Sequence, residues 1–274
     1  MTPCFHSVGL PRRSLMEAIG MVADAGYAAI EINAETLPWA PAHLTPAAGP
    51  QERRAVREAC DARGLVIAAV GAHLPMVMAD PAQREAAIAY VDGCTDLARD
   101  LGAPVVHILS GPLAPGLARE EAWPWFRTAV ERTTEHARRR GVTLGIEAIA
   151  GHLFHGADDY RRLASELPGV GFTVNFDPSH LAVQGEDPRR VVDLFGHRVS
   201  HVHLKDGAGR FPDFSFPPLG RGVIDFAGLL QGLRAAGYDG ALSVEYEAQV
   251  FGWNETEDEI LGHGRTVLDG LLAG

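Results

Sequence analysis

The sequence predicts one α/β domain, a (β/α)8 TIM barrel that spans residues 1–274. Short apolar runs alternate with amphipathic helical segments along the whole chain, eight such units occur, and no linker or low-complexity tract divides them. Strict alternation of strands and helices indicates a parallel sheet, and eight units in a chain of this length close into a barrel. A doubly wound open sheet is the alternative, but no glycine-rich phosphate turn follows the first strand.

The eight predicted strands are the apolar runs of strand length. They cover residues 4–9, 27–33, 65–74, 104–111, 142–149, 171–178, 199–206 and 241–247. Amphipathic helices are predicted at residues 14–26, 51–64, 85–102, 121–141, 158–167, 188–196, 225–237 and 257–272. Many of these helices end at a glycine just before the next strand, which is the usual C-cap position.

Three connections, residues 34–50, 206–222 and 248–258, are longer than this fold requires. All three follow predicted strands. They are therefore expected at the carboxyl ends of the strands, where barrel enzymes build their sites. Two of them contain tryptophan and one contains three phenylalanines, which suit stacking on a sugar ring or covering the barrel mouth.

The composition is that of a soluble globular protein, with 46% hydrophobic and 22% charged residues. The formal net charge of −11 disfavours nucleic acid as a partner, because an acidic surface repels phosphate backbones. Cys4, Cys60 and Cys94 are too few and too widely spaced for a disulfide framework or a zinc cluster. No signal-peptide pattern or apolar stretch of ~20 residues is visible, so the expectation is a cytoplasmic protein with no membrane partner.

Good metal ligands occur near the carboxyl ends of four consecutive predicted strands. They are Glu147 in GIEAI, Asp177 in NFDPSH, His203 in VSHVHLKD and Glu245 in SVEYE. Each alone is more commonly a packed or solvated residue, but four at a comparable height on neighbouring strands predict a metal site. This mixed oxygen and nitrogen set suits a divalent ion, Mn²⁺ first and Mg²⁺, Co²⁺ or Zn²⁺ as alternatives, with positions left for substrate oxygens.

Further polar residues are expected around that site. His73 and His107 on the third and fourth strands are predicted to bind substrate, as is Arg210 in the loop after the seventh strand, and His180 lies three residues after Asp177. His73 and His107 could instead ligate a second metal or pack in the core. A neutral metal-bound histidine needs a partner for its other ring nitrogen, and the nearby candidates are His201, Lys205 and Asp206. His6 and Glu31 rank lower as site residues.

The motifs IEAI, NFDPSH, HVHLKD, PPLGRGVIDF and SVEYE resemble those of the xylose-isomerase-like TIM barrel superfamily. This superfamily includes sugar isomerases, ketose 3-epimerases, hydroxypyruvate isomerase, inosose dehydratase and endonuclease IV, and the resemblance covers essentially the whole chain. It implies a Glu–Asp–His–Glu metal set at Glu147, Asp177, His203 and Glu245. It also implies a substrate-contacting histidine at His180.

The resemblance implies a metal-dependent isomerase or epimerase of a small carbohydrate. In such an enzyme Glu147 and Glu245, on opposite sides of the sugar, remove and return a proton through an enediolate. A lyase or dehydratase that eliminates a group from a keto-cyclitol or 3-oxo-glycoside is the alternative.

Two other functions are weaker alternatives. The endonuclease IV branch carries a histidine after the seventh strand, which residues 207–222 lack. A non-catalytic sugar-binding subunit is the other. The expected partner is a small carbohydrate, and formation of a homo-oligomer or hetero-oligomer stays open, because no sequence feature specifies a symmetry.

Overall fold

The computed structural model describes residues 1–274 and contains a closed barrel of eight parallel strands, which confirms the predicted fold class. The barrel strands are β1 (Thr2–His6), β2 (Ala29–Asn33), β3 (Val66–Gly71), β4 (Val105–Ile108), β5 (Thr143–Glu147), β6 (Thr173–Phe176), β7 (Val199–Leu204) and β10 (Ala241–Val244). Strands β8 (Ala208–Arg210) and β9 (Asp213–Ser215) form a small antiparallel hairpin outside the barrel. The sequence did not predict this hairpin.

Ten α-helices surround or cap the barrel. They are α1 (Leu15–Asp24), α2 (Pro50–Asp61), α3 (Pro81–Leu101), α4 (Arg119–Arg140), α5 (Ala157–Glu166), α6 (Pro178–Gln184), α7 (Arg189–Phe195), α8 (Phe226–Ala235), α9 (Ala248–Phe251) and α10 (Glu257–Ala273). The eight predicted helices are present, and the short helices α6 and α9 are additional. Gly102 and Gly141 end α3 and α4 in the left-handed conformation, as the glycine pattern predicted.

Seven of the eight predicted strands extend two or three residues too far at their carboxyl ends, whereas β2 ends at Asn33 as predicted. Residues 7–9, predicted as strand, form a 3₁₀ turn, and the Ser7 hydroxyl accepts a hydrogen bond from the backbone N–H of Asn33. β3 is followed by irregular chain, and β6 is followed directly by α6. The apolar and polar residues just past each strand end therefore belong to the site loops rather than to the sheet.

The order of strands around the barrel brings the predicted ligands to one side. β5, β6, β7 and β10 are consecutive neighbours, and β10 closes the barrel by pairing with β1. Glu147 pairs in register with Asn175, and Asn175 pairs with His201. Because all eight strands run parallel, their carboxyl ends meet at the same mouth.

The barrel interior beneath the mouth is unusually polar. A cluster of 67 buried apolar residues forms the hydrophobic core. Inside the barrel, Glu31, His6, His107, His201 and Ser243 are all buried. Barrel interiors are commonly filled by branched apolar side chains, so this polar layer must satisfy its own hydrogen bonds.

Two of the long loops join at the mouth. The Trp253 indole N–H donates to the carbonyl of Phe216 at 2.9 Å, which links residues 248–258 to residues 206–222. Asp206 accepts hydrogen bonds from the backbone N–H groups of Gly207, Gly220, Gly222 and Ile224. Asp206 was expected to support the ligands, and it instead holds the loop, because its carboxylate turns toward those amides. No helix in the protein has the length and apolar character needed to cross a bilayer.

Candidate metal and substrate site

The four predicted metal ligands converge at the mouth. One potential ligand atom from each of Glu147, Asp177, His203 and Glu245 lies within 4.8 Å of the other three, and all four residues are buried. His203 Nδ1 lies 3.3 Å from Glu147 Oε2 and 3.2 Å from Glu245 Oε2. The two glutamates therefore stand close to one ring nitrogen, on strands that flank β6 and β7.

The local structure leaves ligand atoms available in this cluster. Asp177 caps α6, and its Oδ1 accepts the Ser179 N–H at 2.8 Å. Its Oδ2 and Glu147 Oε1 are buried and accept no hydrogen bond, and the nearest charge to Asp177 Oδ2 is the Lys205 ammonium at 3.1 Å. Buried carboxylate oxygens are costly to leave unpaired. Three carboxylates and an imidazole, with carboxylate oxygens that accept no hydrogen bond, are suitable ligands for a divalent cation.

Mutual charge controls the protonation of these groups. Burial works to raise the pKa of Glu147, but His203 and His73 outweigh it and hold that pKa well below its usual value. Burial also opposes ionisation of Glu245, whose pKa Lys205 and His203 hold well below normal. Burial works to lower the pKa of His203, but Glu31, Glu245 and Glu147 raise it well above normal.

Asp177 behaves differently from the two glutamates. Burial raises its pKa to about 6; Lys205 opposes this shift, and the charges of Glu147 and Glu245 add to it. A nearby carboxylate pair disfavours a third negative charge unless a cation balances it. Asp177 is therefore the ligand whose ionisation depends most on a bound cation.

Lys205 supplies a buried positive charge to the same cluster. Its Nζ lies 2.7 Å from Glu245 Oε2, 3.1 Å from Asp177 Oδ2 and 3.4 Å from Glu247 Oε2. With three ionised ligand carboxylates, a divalent ion leaves one negative charge, and the Lys205 ammonium balances it. Lys205 was expected from the sequence to support the ligands, but its contact with Glu245 was not predicted.

The predicted substrate-binding histidines lie at two depths. His73 Nε2 is 3.2 Å from Glu147 Oε2, and His180 Nε2 is 3.7 Å from both Glu147 Oε1 and Asp177 Oδ2. His107 lies deeper and is fully buried, with its Nδ1 2.6 Å from His73 Nε2. His73 and His180 thus border the carboxylates, whereas His107 reaches them through His73. Substrate binding by all three stays a prediction.

Arg210 lies apart from the cluster. Its guanidinium packs over Gly185, where a Cβ atom would collide with it. Gly185 ends α6 in the left-handed conformation with φ of 83°. Glycine therefore fits this position both because of its positive φ and because there is no room for a Cβ atom. Arg210 is exposed and makes no polar contact with the four ligands. Its predicted substrate contact also remains a prediction.

An aromatic wall, defined here as Phe211, Phe214, Phe216 and Phe251, extends outward from the cluster. The Phe216 ring packs edge-on against His180, with ring centroids 5.0 Å apart, and Lys205 Nζ lies 4.7 Å from its centroid. Phe214 and Phe251 continue the wall at 5.2 and 5.3 Å from Phe216. Phe216 is buried, whereas the rings of Phe214 and Phe251 behind it are half-buried.

Two polar residues that the sequence analysis missed or ranked low have central positions. Asn175 donates from Nδ2 to Glu147 Oε2 at 2.6 Å. Its signal was visible, because Asn175 shares a strand face with Asp177. Glu31 contacts several histidines inside the barrel. Those contacts join strands remote in sequence, so only the low expected frequency of a glutamate within a buried strand could have indicated them.

The fold and site define a (β/α)8 barrel with a cluster of potential metal ligands at the carboxyl ends of four neighbouring strands. Residues 19–269 match the family described as xylose isomerase-like TIM barrel. The chain belongs to this family.

Similar proteins in the family have several activities. The chain is 26% identical over 145 residues to an inosose dehydratase from Lacticaseibacillus casei, covering 47% of this chain and about half, 48%, of that protein. It is 26% identical over 267 residues to a "Putative hydroxypyruvate isomerase" from Streptomyces coelicolor, covering 87% and 90% of the two chains.

Solved structures share the fold at low identity. An IolI protein with a bound zinc atom superposes with a TM-score of 0.84 at 16% identity, covering 100% of this chain and 98% of that one. The 3-keto-D-glucoside 4-epimerase YcjR from E. coli superposes with a TM-score of 0.78 at 15% identity, with full coverage of both chains. These similar proteins include a dehydratase, a putative isomerase and an epimerase, so they differ in the reaction.

Proposed function

We propose that this protein is a metal-dependent isomerase or epimerase of a small carbohydrate, with Glu147, Asp177, His203 and Glu245 as the metal ligands. The observation that carries the proposal is the pair of glutamates that approach His203 Nδ1 at 3.3 and 3.2 Å from two different strands. The bound zinc in the similar IolI structure supports a divalent ion without selecting one.

The chain's own groups divide the proton transfer between them. When bound, a divalent ion would acidify the C–H bond beside a substrate carbonyl and balance enediolate charge. Glu147, held by Asn175 and His73, is ionised and suited to take a proton on one side of the substrate. Glu245, held by Lys205, is suited to act on the other side. His180, whose Nε2 lies 3.7 Å from Glu147 Oε1, can exchange a hydrogen bond with a substrate hydroxyl.

The proposed substrate is an uncharged sugar ring or ring derivative. The aromatic wall offers Phe214 and Phe251 for stacking on the apolar face of a ring. The only ammonium at the cluster, Lys205, is already engaged by carboxylates. Arg210 and Arg221 are exposed, and Arg221 lies 3.7 Å from Glu255. This arrangement supports hydroxyl and ring recognition more than recognition of a phosphate ester.

A lyase or dehydratase is the second candidate. The different surroundings of the two glutamates support this candidate. Glu147 contacts an amide and an imidazole, whereas Glu245 contacts an ammonium. Elimination needs a base at one carbon and hydrogen-bond donors at the leaving group. His180, whose Nδ1 is buried without a hydrogen-bond partner, could supply such a donor. The match to an inosose dehydratase supports the same reaction class.

A substrate screen in deuterated water tests both candidates. The metal-supplemented protein would be incubated with ketoses, keto-cyclitols and 3-oxo-glycosides, each beside its phosphate ester where one exists, and analysed by NMR and mass spectrometry. Deuterium at a carbon next to the carbonyl, with no loss of any other group from the molecule, supports isomerisation or epimerisation. Loss of water or of an aglycone supports the lyase. Absence of both exchange and product in every metal-loaded sample would contradict both.

A further inference from the structure

Glu31 is the centre of a buried hydrogen-bond network beneath the proposed metal position. Glu31 Oε1 lies 2.6 Å from His107 Nε2 and 3.0 Å from His203 Nε2. Glu31 Oε2 lies 2.7 Å from His201 Nε2 and 2.6 Å from the Ser243 hydroxyl. Glu31 is fully buried; these four hydrogen bonds come from β4, β7 and β10, and His6 Nε2 on β1 lies farther away, 3.4 Å from Oε1.

The chemistry of these contacts determines where the ring protons lie. A carboxylate only accepts hydrogen bonds, so each histidine nitrogen that faces Glu31 must carry its proton. The proton on Nε2 turns the Nδ1 atom of the same ring away from Glu31. In His203, Nδ1 then points between Glu147 and Glu245. In His107, Nδ1 then accepts from His73, whose Nε2 also lies 3.2 Å from Glu147.

We propose that Glu31 is a positioning residue that holds the Nε2 protons of His203 and His107, so that one buried carboxylate orients both the histidine ligand and the hydrogen-bond chain to Glu147. Glu31 touches neither substrate nor cation in this role. Metal-bound histidines generally need a partner for the second ring nitrogen, and His203 has Glu31 in that place. His201 and Ser243 both donate to the second carboxylate oxygen, so loss of the Ser243 hydroxyl leaves that oxygen paired with His201.

The first test reads the ring protons of the unmodified protein by ¹⁵N NMR, before and after addition of Zn²⁺. We expect His107, His201 and His203 each to keep a slowly exchanging proton on Nε2 in both samples. Loss of the Nε2 proton of His203, or coordination of Zn²⁺ through Nε2, would overturn the proposal. This measurement needs no substitution and no substrate.

The second test compares Glu31→Gln with the control Ser243→Ala. An amide can accept through one side only, so at least one of the three rings must move its proton to Nδ1 in Glu31→Gln. We expect Mn²⁺ affinity, measured by electron paramagnetic resonance, to fall about 10- to 100-fold in Glu31→Gln and less than about threefold in Ser243→Ala. Unchanged ring protons and unchanged Mn²⁺ affinity in folded Glu31→Gln would refute the role.

The affinity measurement rests on the proposed metal position, whereas the ring-proton measurement on the unmodified protein does not. Wild-type protein that binds no divalent ion but keeps all three Nε2 protons would remove the proposed function and leave the Glu31 network intact. Wild-type protein that binds Mn²⁺ with His203 in the other tautomer would refute the role of Glu31 and leave the proposed function standing. The two failures are therefore distinguishable.

Discussion

Lys205, the only lysine in the chain, places its Nζ 2.7 Å from Oε2 of Glu245 inside the carboxylate cluster. The other 23 of the 24 lysine and arginine residues are arginine. A compact ammonium fits between Asp177, Glu245 and the Phe216 ring, whereas a planar guanidinium is larger and needs more hydrogen-bond acceptors. Lys205 therefore places a compact positive charge among the carboxylates.

Replacing Lys205 with methionine should destabilise the protein without metal. Removing one partner of a buried ion pair leaves carboxylates uncompensated and costs about 3–5 kcal/mol of unfolding free energy. Saturating Mn²⁺ should restore more stability to Lys205→Met than to wild type, because the cation then balances a larger excess of negative charge. Thermal unfolding with EDTA and with Mn²⁺ measures both effects.

The matched control for this substitution is Arg221→Met, which removes an exposed cation from the loop that follows Lys205. It should change stability by less than about 0.5 kcal/mol. Lys205→Arg keeps the positive charge, so its stabilisation by Mn²⁺ should be closer to that of wild type than to that of Lys205→Met. Equal metal-induced stabilisation of Lys205→Met and wild type would contradict the charge-balance argument.

Glu147→Gln and Glu245→Gln should each remove turnover while the fold is retained. The amide keeps the size of the side chain and can still accept from Asn175 or Lys205, but it cannot take a proton from carbon. We expect a loss of at least about 100-fold in deuterium exchange at the substrate carbon. Exposed Glu131→Gln is the control. Near-wild-type exchange in both site variants would exclude the two-carboxylate mechanism.

Divalent metal affinity should rise with pH. The pKa of Asp177 is raised to about 6, and that of His203 is raised well above normal, so both groups must release a proton to bind a cation. The logarithm of the association constant should therefore climb with a slope of about two below pH 6 and about one above it. Mn²⁺ titrations from pH 5 to 8 measure the slopes. Asp177→Asn should bind more weakly and lack the change of slope.

The sign of the corresponding stability effect follows from Asp177 in the metal-free protein. Because its pKa in the folded state, about 6, exceeds the usual value of 3.8, the folded state keeps a proton that the unfolded state has lost between these values. Its contribution to stability is complete below the lower value and is lost as pH rises toward 6. Asp177→Asn should remove this part of the pH dependence of unfolding measured in EDTA.

Asp206→Ala should loosen the loop from Gly207 to Ile224. The side chain accepts four backbone hydrogen bonds across that loop, and losing a charged acceptor leaves buried N–H groups unpaired, at a cost of the order of 3 kcal/mol. Limited proteolysis with mapped cleavage sites should show new cuts inside the loop. Asp213→Ala, in the exposed part of the same loop, should not. Identical cleavage of both variants would contradict the anchoring role.

Much of the fold was predictable from local patterns. Alternating apolar runs and amphipathic helices predicted all eight barrel strands, since each unit must bury its apolar face against the next. The strand ends and the hairpin at Ala208–Ser215 were not predictable, because they depend on loop contacts such as that between Ser7 and Asn33. The convergence of Glu147, Asp177, His203 and Glu245 was predictable from their positions at the ends of successive strands.

The sequence by itself determined the barrel and the side of it that carries the carboxylates, because parallel strands joined by helices direct all their carboxyl ends to one mouth. Only the tertiary structure decided which atoms meet there. Closure brings Glu31 to His201, 170 residues away in the chain, and turns Lys205 toward Glu245 and Asp206 toward the loop. These contacts depend on strand register and side-chain direction across the barrel, which no local pattern encodes.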